Sequence, residues 1–198
     1  MRVTLAIALV ASATASAASA AAPSAWFAVP ETAVYQTGDS WTDHGVTYRL
    51  YGVQSCIRGT TFTNSHGLKR DCGEASLAML IALSRDLRPQ CYKAAAVGET
   101  KFVFCIANPK RGAAAGTRID LGTALVSTGY AFASLRPDGK PVHMPYFVAQ
   151  VVAQRSHAGL WAFPDVPEPN TIILRALNAQ RSKAAQQVGA GVPAGSPN

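Results

Sequence analysis

Four cysteines, Cys56, Cys72, Cys91 and Cys105, constrain this 198-residue chain more than any other feature, because the segment that precedes them reads as an export signal. Met1-Arg2-Val3 gives a short basic start, and Thr4 to Ala11 an apolar stretch too brief to span a bilayer. Ala18 and Ala20 supply an Ala-x-Ala cleavage site, so residues 1–22 are expected to be a signal peptide and the mature chain to begin near Ala21 or Pro23. An even cysteine count in an exported chain reads as two disulfides. Three pairings are open. Local geometry favours Cys56 with Cys72 and Cys91 with Cys105, the latter two on strand candidates joined by a turn containing Gly98. No two cysteines form a C-x-x-C pair, which argues against a four-cysteine zinc site. With no other long apolar run, the expectation is a periplasmic or secreted protein with no membrane span after signal cleavage.

Charge points to a class of partner. The full chain has 18 Lys and Arg against 11 Asp and Glu, a formal +7; losing Arg2 with the signal leaves 17 against 11, or +6. A positive surface attracts nucleic acid, anionic headgroups or acidic polysaccharide through the same screened Coulomb force. The same moderate basicity also serves solubility alone.

Residues 23–37 read as an N-terminal arm ending in a first strand, Thr32 to Thr37. Further strands are predicted at Val46 to Val53, Arg88 to Tyr92, Phe102 to Ile106 and Tyr130 to Ser134, short runs of branched and aromatic residues bounded by turn formers. Helices are predicted from Gly73 to Leu83, from Asp120 to Val126 and from Pro145 to His157. In the last of these, Phe147, Val148, Val151 and Val152 fall on one face, the predicted core side, with Gln150, Gln154 and Arg155 opposite. One compact domain over 38–165, a C-terminal helical extension over 166–187 and a disordered tail over 188–198 complete the division. Five strands and about three helices fit an α+β fold built on a small OB-type β-barrel, closure being the usual remedy for exposed strand edges.

Gly38-Asp39-Ser40, then Arg49-Leu50-Tyr51-Gly52-Val53, then Cys72-Gly73-Glu74-Ala75, with the motifs that follow as far as Trp161, make the chain resemble the secreted staphylococcal-nuclease (thermonuclease) family. Gly38-Asp39-Ser40 stands where that family has a Gly-Asp-Thr turn, and Arg49-Leu50-Tyr51-Gly52-Val53 matches its Arg-Leu-x-Gly-Ile strand. Cys56, Cys72-Gly73-Glu74-Ala75 and Phe102-Val103-Phe104-Cys105 follow in family order. So do Asp120-Leu121-Gly122, Leu125-Val126-Ser127-Thr128-Gly129, and a helix with Tyr146, Ala149 and Ala153 closing on Gly159-Leu160-Trp161. The resemblance implies a five-stranded OB barrel and calcium-dependent phosphodiester hydrolysis, in which carboxylates hold the ion, a glutamate activates water and two arginines grip the phosphate.

Carried over residue by residue, that site is depleted. Asp39 matches one metal ligand, but Gln54 stands at the second with a carbonyl oxygen and no charge, so calcium is expected to bind weakly or not at all, and no cofactor is called for. Ile57 falls at the base position, and losing a general base costs about 100-fold to 10,000-fold in rate. Arg49 matches the first phosphate arginine. At the second, the turn reads Val97-Gly98-Glu99-Thr100-Lys101, leaving Lys101 as a nearby point charge. His44, His66, His143 and His157 are scattered and form no metal or nucleophile spacing.

The leading expectation is therefore a secreted nuclease-fold protein with little or no nuclease activity, acting as a binding or accessory module of the cell envelope. A competing one keeps metal-dependent phosphodiester hydrolysis in a rearranged site, with the Thr60 to Arg70 loop supplying contacts. A third makes Arg49, Lys69, Arg70, Lys101, Lys110 and Arg111 a surface for nucleic acid or another polyanion. A protein partner in the envelope is a further candidate.

Overall fold

The computed structural model describes residues 25–190 except 111, 113 and 114, and side chains as far as 187. The expected signal peptide, the end of the tail from 191 and Arg111 lie outside the described residues. Eleven strands are described: β1 Phe27–Ala28, β2 Val34–Thr37, β3 Ser40–Asp43, β4 Val46–Leu50, β5 Val53–Ser55, β6 Thr61–Thr63, β7 Lys69–Asp71, β8 Gln90–Val97, β9 Thr100–Ala107, β10 Ile119–Asp120 and β11 Ala131–Ala133. Four α-helices join them, α1 Cys72–Leu87, α2 Leu121–Ser127, α3 Met144–Arg155 and α4 Pro169–Ala190, with a 3-10 turn at Gly159–Ala162.

The fold is α+β. Its main sheet is mixed and curls into a half-barrel, with strands in the order β1-β8-β9-β4-β3-β2 and β10 beside β9. All its pairings are antiparallel except β4 with β9, where Tyr48 faces Lys101, Arg49 faces Phe102 and Leu50 faces Val103. The single run expected from Val46 to Val53 divides at Gly52, whose φ of +73° breaks the strand and starts β5 in a new direction. β3 and the β6–β7 hairpin are additions to the strands expected from sequence; β3 reads Ser-Trp-Thr-Asp, which lacks an apolar run.

One face of the sheet packs on the helices. Trp41, Leu50, Val103, Cys91 and Cys105 meet Leu80 of α1 and Leu121, Leu125 and Val126 of α2 in one buried cluster. A smaller cluster of Cys56, Cys72, Phe62, Phe132 and Leu160 fills the other end. Disulfides join Cys91 to Cys105 across the β8–β9 pair and Cys56 to Cys72 at the start of α1, so each core region holds a covalent staple.

Helix α3 sits the other way round from its apolar pattern. Its buried residues are Tyr146, Gln150 and Ala153, whereas Phe147, Val148 and Val152 face outward. The reason is β11, which among the described residues has a strand partner on one side only, β5. On the open side Gln150 Oε1 accepts the Ala133 N–H at 2.7 Å, and Asn170 Nδ2 donates to the Ala133 carbonyl at 3.0 Å. Two side-chain amides thus stand in for a missing strand, and satisfying a buried backbone donor outweighs burying two valines.

Candidate functional site

The site is built where β2 turns into β3 and β4 turns into β5. Gly38 lets the first turn lie directly on α1: a Cβ there would stand 2.4 Å from the Ser76 Cβ. That contact sets the position of Asp39, whose carbonyl accepts the Leu50 N–H at 2.8 Å. Arg49, beside Ser40 in the β3–β4 ladder, reaches back over the turn, and the bend at Gly52 returns Gln54 and Ser55 to the same place.

Asp39 is 1% exposed, and both of its carboxylate oxygens are hydrogen-bonded. Oδ1 accepts from the Thr37 hydroxyl, while Oδ2 accepts from Arg49 Nε at 2.9 Å and the Ser55 N–H at 3.3 Å and lies 2.8 Å from Arg49 Nη2. Four contacts reach the carboxylate, three on Oδ2 and one on Oδ1, and both contacts from the only charged partner fall on Oδ2. Gln54 is spent in the same network: its Oε1 accepts from Arg49 Nη2 at 2.8 Å and its Nε2 donates to the Ser55 carbonyl at 2.9 Å.

This arrangement does not fit calcium. The ion asks for about six to eight oxygen ligands, most effectively from carboxylates. The two side chains expected to supply them are one carboxylate sealed by a guanidinium and one amide oxygen turned toward that same guanidinium. Ile57 brings no titratable group, and its carbonyl closes a turn by accepting from the Thr60 N–H and hydroxyl. Among the described residues no three His, Cys, Asp or Glu side chains gather as a metal site. The arrangement can orient Arg49 and hold the β2–β3 and β4–β5 turns together.

The remaining expected contacts are dispersed. Lys101 pairs with Tyr48, not Arg49, so the alternation of side chains places it on the opposite face of the sheet, where its Nζ stands 5.5 Å over the Tyr48 ring. Lys101 and Lys110 lie toward opposite ends of β9. Lys69 and Arg70 belong to β7, whose hairpin is tied elsewhere: Thr63 donates to Asp165, and Asp71 caps α1 and accepts the Gly59 N–H at 2.7 Å. No hydrogen bond or ion pair among the described residues links that hairpin to Arg49, Asp39 or Gln54, so the Thr60 to Arg70 loop adds no group to the network.

Two carboxylates of this region have lowered pKa values. Burial pushes Asp71 up most strongly of any single influence, but the N–H groups of Glu74, Gly59 and Gly73 and the Arg58 charge together hold it below its ordinary 3.8. Asp165 is held down chiefly by the Thr63 N–H, then by the Thr63 hydroxyl. At the other end of the sheet, burial and then the Asp120 carboxylate push the Tyr146 phenol up, so it stays protonated.

Sequence reading missed Thr37 and Ser55, the partners that complete the Asp39 shell. A threonine two residues before an aspartate at a turn is a local signal for the first. The Ser55 N–H carries no signal, because only the turn at Gly52 brings it to Asp39. The sequence matches no protein-family model and no curated protein.

Proposed function

We propose that this chain is a secreted protein of thermonuclease-like OB-barrel fold that has no calcium-dependent hydrolysis and works in the cell envelope as a binding or accessory module for nucleic acid or a similar polyanion. The observation that carries the reading is the closed Arg49–Asp39–Gln54 network, in which the residues matching a phosphate grip and a metal cup neutralise one another. The curled mixed sheet supports the barrel-like fold, and the two disulfides fit an oxidising compartment. No helix of the described residues is long and apolar enough to cross a membrane. The positive net charge supports an anionic partner.

The test uses the disulfide-intact mature protein with single-stranded DNA and RNA in excess calcium, read by gel for cleavage and by fluorescence anisotropy for binding. Binding without cleavage, and no calcium-dependent rise in Tm, is the expected result. Turnover that disappears in Asp39→Ala overturns the non-catalytic reading, and absence of binding to either polymer overturns the nucleic-acid one.

A further inference from the structure

The side of the sheet that carries Tyr92 and Phe104 has a row of rings that no single segment of the sequence contains, open at its Trp26 end and packed at Phe104 against Tyr146 and the start of α3. Trp26 precedes the β1–β8 pairing of Phe27 with Cys91 and lies beside Tyr92, with ring centroids 4.7 Å apart. Tyr92 pairs with Phe104 across β8 and β9 at 5.6 Å. Phe104 meets Tyr51, just past the end of β4, at 5.1 Å, and His143 at the start of α3 at 5.3 Å. Trp26 just before β1, Tyr92 of β8, Phe104 of β9 and Tyr51 just after β4 therefore form one line running across the sheet. Trp26 is 50% exposed, and the other three rings are half-buried.

Beside the Trp26 end lies an open cavity of about 320 Å³, one pleat step along the sheet, where Gln90 pairs with Ile106. Trp26, Gln90, Ile106, Asn108 and Arg118 line it. Its chemistry is specific in type: one exposed aromatic ring, two side-chain amides, a guanidinium and no carboxylate. Arg118 forms no ion pair with any described residue. A ring stacks on a flat base, amides hydrogen-bond a base edge, and a free guanidinium takes a phosphate oxygen pair. An acidic polysaccharide would use the cation and can lay the C–H face of a pyranose on a ring, but it lacks the aromatic base that stacks on Trp26 and quenches its emission.

Resting on the nucleic-acid reading above, we infer that single-stranded nucleic acid binds along this face, with one base on Trp26 in the cavity, its phosphate on Arg118 and the strand continuing over Tyr92 toward Tyr51. The site is distinct from the Arg49–Asp39 network, which holds its own charges.

The experiment titrates the mature, disulfide-intact protein with fluorescein-labelled dT12 and rU12 and follows both anisotropy and tryptophan emission. Of the three tryptophans, Trp41 is buried and the Trp161 indole N–H is enclosed, so Trp26 is the one that bound bases would quench. Trp26→Ala is expected to weaken binding about tenfold, Trp26→Phe to keep most of the affinity while abolishing the quench, and Arg118→Ala to reduce the salt slope by about one. Trp26 is half exposed and Arg118 exposed, so unchanged Tm values confirm that the variants fold. If wild type binds but Trp26→Ala and Arg118→Ala bind equally well, this placement is wrong while the nucleic-acid reading stands. If wild type binds neither oligonucleotide, both fall. Heparin fragments that quench Trp26 as strongly as dT12 make the face a polysaccharide site and overturn the inference.

Discussion

Arg49 and Asp39 form a two-point contact on one carboxylate oxygen, with Nε at 2.9 Å and Nη2 at 2.8 Å from Oδ2. The acid is buried and the base is 36% exposed, so the pair is a tether at the sheet margin rather than a free grip on a substrate. Removing the arginine strands a desolvated carboxylate. Arg49→Ala is expected to cost about 1–3 kcal/mol, less than for a fully enclosed pair because solvent reaches the arginine. Chemical denaturation measures it; a variant of wild-type stability would show that the contact is not structural.

Gly38 and Ser76 define the same margin from the helix side. With no space for a methyl group against the Ser76 Cβ and backbone, Gly38→Ala is expected to destabilise by about 1–3 kcal/mol through overpacking. Ser76 itself is held, since its hydroxyl donates to the Tyr130 carbonyl at 2.6 Å and accepts the Cys56 N–H at 3.2 Å. A Tm equal to wild type in Gly38→Ala would disprove the close approach.

The inverted seating of α3 makes a paired prediction. Gln150→Ala leaves the Ala133 N–H without its acceptor and is expected to cost about 1–3 kcal/mol. Val148→Ala and Val152→Ala remove exposed side chains and are expected to stay within about 0.5 kcal/mol of wild type. The reverse ranking in urea melts would restore the orientation suggested by the apolar stripe.

Acid should loosen the β6–β7 hairpin first. Asp71 and Asp165 have folded pKa values below the ordinary 3.8, so the stability they contribute is complete above that value and is lost as pH falls through their lower folded values. Protection of the Gly59, Thr63 and Glu74 amides, whose N–H groups these carboxylates accept, is expected to fall relative to their intrinsic exchange rates below about pH 4, ahead of the sheet. Asp71→Asn should flatten the response at Gly59 and Glu74 and leave Thr63 unchanged. Uniform protection of all three down to pH 2 would sink this account.

Much of the local structure was legible because it depends on neighbours in sequence. The β8–β9 hairpin was legible in Cys91-Tyr92, in Phe102 to Ile106 and in the turn at Gly98, which takes φ +55°, whereas the Ala-rich end of β8 is strand through its pairing with β9. Helix α1 follows from a run of strong helix formers, although Asp71, the residue that caps it, was not singled out. The candidate site was legible only as a set of positions. That Asp39, Arg49 and Gln54 belong together came from the resemblance; that they bind one another depends on the Gly52 bend and on contacts with Thr37 and Ser55.

The sequence by itself determined the segments, their periodicity, the cysteines available for stapling and the absence of a second carboxylate and a base at the matched positions. Tertiary structure alone decided which face each segment shows. Lys101 is separated from Arg49 because β4 and β9 pair in parallel with Tyr48 opposite Lys101, a one-residue matter that reverses the side of every side chain. Gln150 turns inward because a strand edge far away in sequence lacks a strand partner among the described residues. Trp26, Tyr92, Phe104 and Tyr51 form a row only after four strands are aligned, since a sheet gathers into one line residues that the chain keeps apart.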